Sequence, residues 1–294
     1  MMSWFVLGIL SAVFLGCYDV SKKLSLRDNS VVTVLTASVC MSSLILLPML
    51  ILSRVDAGTM QTTVFYVPEV DLRTHLFIVL KSLIVLSSWV FAYMAMKHLP
   101  ITIVSPINAT RPMWTLLGAL IIFGEQLNGW QWAGVSVCLL SFYAFSVIGK
   151  KEGVSFSHNR WIWALLLATF LGASSGLYDK YLMRQFDHNA VQVYYTFYQA
   201  LMMIIVWLVV ERKFRWTWTI AFISIFLVAS DFVYLMALQQ PDSLISVLSA
   251  VRRSGVVIPF VFGAVVLKDK NPLLKTVCLA GVLLGILFLY IGSK

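Results

Sequence analysis

Long apolar segments alternate with short polar gaps along almost the whole of the 294-residue chain. A helix that spans a membrane needs roughly 20 mainly apolar residues. Ten segments meet this requirement: 3–21, 31–53, 74–97, 101–123, 130–149, 161–182, 191–211, 217–239, 243–267 and 273–292. Their apolar residues are continuous rather than alternating, so the pattern predicts helices and not membrane-spanning strands. The longest gap, Arg54 to Arg73, predicts a surface loop.

Composition supports an all-α integral membrane protein with almost no soluble part. Hydrophobic residues make up 60% of the chain and charged residues 12%, and the mean hydropathy is +0.88. Soluble domains carry about twice that charged fraction. Most of the basic residues behind the net charge of +9 lie in the polar gaps, where membrane topology requires them. We therefore expect the lipid bilayer as a partner, and no nucleic acid.

The four cysteines predict no cofactor chemistry. Cys17, Cys40, Cys138 and Cys278 all lie within apolar segments and show no paired spacing. They are interpreted as small packing residues rather than as disulfides or metal ligands. We therefore expect neither a cofactor nor a metal. The amino terminus lacks a basic region and a cleavage site, which favours a retained first helix over a signal peptide.

Two patterns recur along the chain and indicate an internal duplication. Gly16-Cys17-Tyr18-Asp19 recurs as Gly176-Leu177-Tyr178-Asp179, a shift of 160 that also relates Asn29 and Val31 to Asn189 and Val191. With a shift of 141, Phe91, Tyr93, Pro100, Ser105, Ala109 and Arg111 correspond to Phe232, Tyr234, Pro241, Ser246, Ala250 and Arg252. The shifts differ by 19 residues, about the length of the long loop. We therefore predict two five-helix repeats, at 1–150 and 157–294.

An odd number of crossings per repeat has a geometric consequence. The second copy enters the membrane from the opposite side, so a pseudo-two-fold axis in the membrane plane relates the copies. Inverted repeats of this kind are typical of secondary transporters. We expect about ten transmembrane helices, in two inverted repeats, around a central cavity.

A loose motif accompanies the fourth segment. It comprises Leu99-Pro100-Ile101, Pro106-Ile107 and Arg111-Pro112, and continues through Gly118 to Gly124-Glu125. Together with the duplication, this motif resembles the EamA-type branch of the drug/metabolite transporter superfamily. The second copy departs from it at Lys268-Asp269-Lys270, where the resemblance implies a glutamate.

The resemblance covers essentially the whole chain. It implies a basket of helices whose third, fourth, eighth and ninth members line a central cavity. It also implies transport of small metabolites by alternating access, in the bacterial cytoplasmic membrane with both termini inside. The basic residues predict both termini outside, since about 13 follow odd-numbered segments and about five lie on the other side.

Arginines near the middle of two apolar segments are the main functional signal. A charge at the bilayer centre costs about 2.5–3.5 kcal/mol, so it normally faces the protein interior or a water-filled path. Polar stripes at helical spacing surround them: Ser105, Asn108 and Arg111 on the fourth segment, and Ser246, Ser249 and Arg252 or Arg253 on the ninth. One hypothesis is that the arginines bind a substrate carboxylate or phosphate. The alternative is that they pair with Asp231 or with helix carbonyls and hold the repeats together.

Other polar residues in the segments have two interpretations each. Asp231, which corresponds to Val90, is either a partner for an arginine or a protonatable coupling site. Lys81 either extends to the membrane interface or faces the cavity. Tyr93, Tyr234 and Trp89 either form cavity walls or serve as packing and interface residues.

The sequence offers no catalytic motif. Asp19 and Asp179 suggest an intramembrane aspartyl protease, but the Gly-x-Gly-Asp partner is missing, and interfacial pairs with Lys22, Lys23 and Lys180 explain both acids. Metal-hydrolase, acyl-transfer and nucleotide-binding patterns are also missing. We therefore expect a transporter rather than an enzyme.

The favoured function is secondary active transport, in the export direction, of a small organic metabolite that is anionic or zwitterionic. Arg111 and Arg252 would bind the anionic group, with serines and Asn108 orienting polar groups. One alternative is a proton-coupled exporter of cationic or lipophilic compounds, with protons as partner and Asp231 as the coupling group. Another is a membrane scaffold without transport activity.

Overall fold

The computed structural model describes residues 4–123, 128–151, 158–210, 216–240, 243, 248, 251–268 and 272–292. These residues are almost entirely helical and include no strand, which confirms the all-α prediction for the described part of the chain. Several residues singled out by the sequence lie outside this part: Gly124, Glu125, Ser246, Ser249, Asp269 and Lys270.

Most of the helices follow the predicted segments, whereas the first, fourth and ninth segments differ from them. Their bounds are α1 Trp4–Asp28, α2 Val31–Val55, α3 Ala57–Met60, α4 Leu72–His98, α5 Ile101–Ala109, α6 Arg111–Phe123, α7 Gly129–Lys151, α8 Arg160–Met183, α9 His188–Val210, α10 Trp218–Gln239, α11 Val257–Val265 and α12 Pro272–Ile291. Six of them, α1, α2, α4, α8, α9 and α10, are long and apolar enough to cross a membrane. Shorter apolar stretches lie in α7 and α12.

Polar side chains cap the helices where the apolar segments begin. Ser30 accepts from the Thr33 amide at 3.2 Å, and Asn159 accepts from the Trp161 amide at 2.9 Å. Asp71 accepts from both the hydroxyl and the amide of Thr74, and these hydrogen bonds lower the pKa of the exposed Asp71 carboxyl. Such caps satisfy amides that have no partner within the helix.

The first helix is longer than its apolar segment. The sequence predicts an end at residue 21, whereas α1 continues to Asp28. Its polar end packs against α10, where the Ser25 hydroxyl donates to the Thr219 hydroxyl at 2.6 Å. Asp19 therefore lies well inside the helix and not near its end, which corrects the interpretation of this acid as interfacial.

The fourth segment is broken and not one continuous helix. Thr110 separates α5 from α6, and Pro112, which has no amide hydrogen, cannot continue the hydrogen bonding of α5. The break puts Arg111 at the first position of α6.

A similar break occurs in the ninth segment. A 3₁₀ turn, Ser254–Val256, separates helical residues 251–253 from α11, which contains Pro259. A side chain at Gly255 would overlap the Ala12 carbonyl of α1, so only glycine allows this backbone contact. The turn follows Arg252 and Arg253 directly, so both breaks lie beside arginines.

The four most extensive helix contacts join α1 with α10, α7 with α12, α4 with α8, and α2 with α9. Serine hydroxyls join several of them. Ser11 donates to the Ser230 carbonyl at 2.9 Å, Ser88 to the Ala168 carbonyl at 2.7 Å, and Ser43 to the Thr196 carbonyl at 3.2 Å. Buried apolar side chains fill the remaining space, as at Val34, Leu35 and Met96.

Candidate functional site

A polar cavity lies in the middle of the helix bundle. Residues of α1, α4, α5, α6, α8, α9 and α10 line it, together with Arg252 and Arg253. Water can occupy about 100 Å³ of it. Since one water needs roughly 10–15 Å³ on this measure, the cavity has room for several. The helix break at Thr110 leads Arg111 into this space.

Arg252 is held by a network of side chains from two helices, α9 and α10. Its guanidinium pairs with the Asp231 carboxylate of α10 and donates to the Ser230 hydroxyl at 3.2 Å. The Tyr195 hydroxyl of α9 donates to the other Asp231 oxygen at 2.5 Å. The guanidinium carbon lies 4.2 Å from the centre of the Tyr234 ring, a cation–π contact. Asp231 thus occupies the position of an arginine partner, one of its two predicted interpretations.

Lys81 and Asp179 form a second ion pair, between α4 and α8. Lys81 is 3% exposed and lines the cavity, so it does not extend to the membrane interface. Asp179 is also buried, and its partner is Lys81 and not the neighbouring Lys180. Both interfacial interpretations are therefore corrected.

A third ion pair lies within α1. The Lys22 ammonium nitrogen is 2.6 Å from an Asp19 oxygen and 4.4 Å from the centre of the Tyr18 ring. All three residues line the cavity. The count of basic residues that predicted both termini outside includes Lys22 and Lys275 as loop residues. Both are buried in the protein, so that count overstates the positive charge in the loops after the odd-numbered segments.

Arg111 and Arg253 also line the cavity, but they have no carboxylate within ion-pair distance in the part of the chain that the structure describes. The Arg111 guanidinium packs directly over Gly172 of α8, where an added methyl group would overlap it. Its buried Nε atom has no hydrogen-bond partner among the described residues.

The acidic residues that the structure describes account for this lack of partners. Of these eight acids, three line the cavity, and each already has a cation. Five others lie at helix ends or in loops: Asp28, Asp56, Glu69, Asp71 and Asp187. The remaining five acids of the sequence lie outside the described residues: Glu125, Glu152, Glu211, Asp242 and Asp269.

The polar stripe of the fourth segment borders the same region. Asn108 lines the main cavity and accepts from the Thr169 hydroxyl at 3.3 Å. Ser105 lines a smaller adjoining cavity with Asn108 and Arg253, and its buried hydroxyl has no partner among the described residues. Both side chains could therefore contact a bound molecule near Arg253.

The predicted aromatic residues divide between wall and core. Trp89 and Tyr234 line the cavity. Tyr93 is fully buried behind the wall, where its hydroxyl accepts from the Tyr18 hydroxyl at 3.3 Å. Tyr195 also lines the cavity. Sequence reasoning does not identify it, because nothing in its surroundings along the chain distinguishes this tyrosine from packing aromatics. For Tyr18 and Asp19, the recurrence of Tyr-Asp in both halves was an available signal.

A bundle of apolar helices around a cavity lined with charged side chains is typical of a membrane carrier for small molecules. Residues 2–147 match the model of the EamA-like transporter family. The chain belongs to this family, which is part of the drug/metabolite transporter superfamily. It is thus a multi-pass membrane protein of a family that transports small molecules.

Solved structures show a related fold, whereas no curated protein matches the chain. One crystal structure, titled only as that of a protein, matches with a TM-score of 0.67 and 12% sequence identity. The match covers 97% of this chain and 95% of the other. At this identity the likeness concerns the fold alone.

Proposed function

We propose that this protein is a secondary active transporter of a small organic anion. Arg111 and Arg253 bind the anionic group in the central cavity, while Asp231 holds Arg252 in place. The observation that carries the proposal is the presence of two cavity-lining guanidinium groups without carboxylate partners among the described residues. A guanidinium group presents paired donors that suit carboxylate and phosphate oxygens.

The pairing of the helices supports an inverted repeat and hence alternating access. If the repeats are 1–150 and 157–294, then α1, α2 and α4 correspond to α8, α9 and α10, and α7 corresponds to α12. This correspondence converts the contact between α1 and α10 into the contact between α8 and α4. It converts the contact between α2 and α9, and that between α7 and α12, into the same contact again. Contacts that map onto one another in this way are expected for two copies around a pseudo-two-fold axis.

The proposal includes export as the direction of transport and the bacterial cytoplasmic membrane as the location. A proton-coupled exporter would require Asp231 to exchange protons freely. Arg252 and the Tyr195 hydroxyl occupy its two oxygens, which argues against that role. Asp231→Asn separates the hypotheses, because loss of proton-driven flux with intact ligand binding would favour proton coupling. A scaffold without transport activity predicts no stabilisation by any ligand.

Ligand-dependent thermal stabilisation of the purified protein tests the proposal. A ligand that binds only the folded state raises the unfolding midpoint. The screen would comprise organic acids, sugar phosphates, nucleotides and amino acids, with Arg111→Gln as the test variant. The exposed Arg184→Gln, which removes an equal charge outside the cavity, is the matched control. We expect an anion to stabilise the wild type and the control, and to stabilise Arg111→Gln much less at the same concentration.

Transport itself requires a second measurement. Any anion that stabilises the protein should exchange across proteoliposomes that contain the wild type and not across those with Arg111→Gln. A cysteine at Ser105, in a background without the four native cysteines, should become protected from aqueous reagents when that anion binds. Stabilisation by cations alone, or equal stabilisation of Arg111→Gln, would contradict the proposal.

A further inference from the structure

The central cavity is lined by more cationic groups than carboxylates. Five are cationic, Lys22, Lys81, Arg111, Arg252 and Arg253, and three are carboxylates, Asp19, Asp179 and Asp231. Each carboxylate pairs with one cation, which leaves two guanidinium groups. The other five acids that the structure describes lie at helix ends or in loops, and none of them pairs with Arg111 or Arg253.

Two positive charges in such a cavity favour a ligand of matching charge. An uncompensated charge away from bulk water is unfavourable, and the cavity has room for only several waters. A monoanion would leave one guanidinium group uncompensated. A trianion would add an excess negative charge beside three carboxylates that are already present.

From this imbalance we propose that the transported molecule is a dianion, with one negative charge for each of Arg111 and Arg253. This inference rests on the proposed function and adds the charge of the substrate to it. Two kinds of molecule carry this charge in a small volume: a dicarboxylate and a phosphomonoester. Arg111 belongs to the first half of the chain and Arg253 to the second, so one dianion would contact both halves.

Matched pairs of ligands test the charge directly. Succinate would be compared with butyrate, and methyl phosphate with dimethyl phosphate, by titration calorimetry on the purified full-length protein at pH 7.5. Hydrogen bonds to charged groups predict that at least one dianion binds roughly tenfold or more tightly than its monoanionic partner. The expected stoichiometry is one dianion per chain. Which dianion binds distinguishes the dicarboxylate from the phosphomonoester.

Methyl phosphate provides an internal control if it is the ligand that binds. Its second pKa is about 6, so the same molecule is mainly a monoanion at pH 5 and mainly a dianion at pH 7.5. Affinity should therefore rise about tenfold over this range, which is the change in the dianion fraction. Dimethyl phosphate should show no such rise. This comparison uses the wild type and so does not depend on the folding of any variant.

Variants of the two arginines test whether each of them binds one of the two negative charges of the ligand. Arg111→Gln and Arg253→Gln should each reduce dianion affinity to that of the monoanion, whereas Arg184→Gln should keep the difference. Equal affinity for both members of each pair, or binding of two butyrates per chain, would overturn the inference but leave anion transport intact. If none of the four anions binds and no other anion stabilises the protein, the inference and the proposed function are both wrong.

Discussion

Arg111 and Arg252 occupy corresponding positions in the two halves of the chain, yet their surroundings differ in charge. Arg252 has a carboxylate, a hydroxyl and an aromatic ring as partners, whereas Arg111 packs over Gly172 without a carboxylate among the described residues. The difference follows from one pair of residues, since Asp231 in the second half corresponds to Val90 in the first. If the two halves are copies of one unit, as the sequence predicts, that unit has one arginine that is held in place and, as we propose, one that is available to a ligand.

Removal of Asp231 should have the largest effect, because it converts the second half to the state of the first. Asp231→Val leaves Arg252 unpaired and should lower the free energy of unfolding by about 3–5 kcal/mol. The double variant Asp231→Val, Arg252→Leu removes both charges and should recover most of that loss. Denaturation in detergent measures both. A single variant as stable as the wild type would mean that the pair contributes nothing to stability.

Removal of the Arg111 charge should weaken ligand binding and not stability, in contrast to removal of Asp231. Arg111→Gln should leave stability without ligand unchanged or higher, because an uncompensated charge is lost. Its affinity for the anion should fall by about 10- to 100-fold, which corresponds to a hydrogen bond with a charged group. Calorimetry and thermal unfolding provide the two values, with Arg184→Gln as control. An unstable Arg111→Gln with normal affinity would reverse the roles of the two arginines.

Displacement of Arg111 without loss of its charge sharpens the comparison further. Gly172→Ala adds a methyl group where the guanidinium lies, whereas Gly176→Ala, one helical turn further along α8, meets no atom within 4 Å. We expect anion affinity to fall about tenfold in the first variant, since misplaced binding groups lose contact with the ligand. The second adds a methyl group to the same cavity wall without displacing a side chain, so its affinity should fall less. Equal affinities would show that the position of Arg111 over Gly172 is not required.

Two tyrosines around Arg252 should give the smallest effects. Tyr195→Phe removes the 2.5 Å hydrogen bond to Asp231 and should lower the free energy of unfolding by about 1.5 kcal/mol. Tyr234→Phe keeps the ring that contacts Arg252 and should change stability little. Neither variant should alter anion affinity as Arg111→Gln does. A large loss of binding in Tyr195→Phe would mean that the Asp231 network itself contacts the ligand.

The apolar pattern predicts the helices well because span length and hydrophobicity are local properties. The arginines in the fourth and ninth segments were also recognisable, since a charge in an apolar segment is conspicuous. The ion pairs were less accessible to sequence reasoning, because Lys81 and Asp179 are 98 residues apart and meet only through the packing of α4 on α8. The length of α1 was missed because its polar end is stabilised by α10 and not by its own composition.

A structure determined with a saturating dianion, methyl phosphate or succinate according to which one binds, tests the central claim most directly. The account predicts density for the ligand in the central cavity, in contact with the guanidinium groups of Arg111 and Arg253, while the Asp231–Arg252 pair remains intact. A ligand bound to Arg252 with Asp231 displaced, or a ligand elsewhere with Arg111 free, would contradict it.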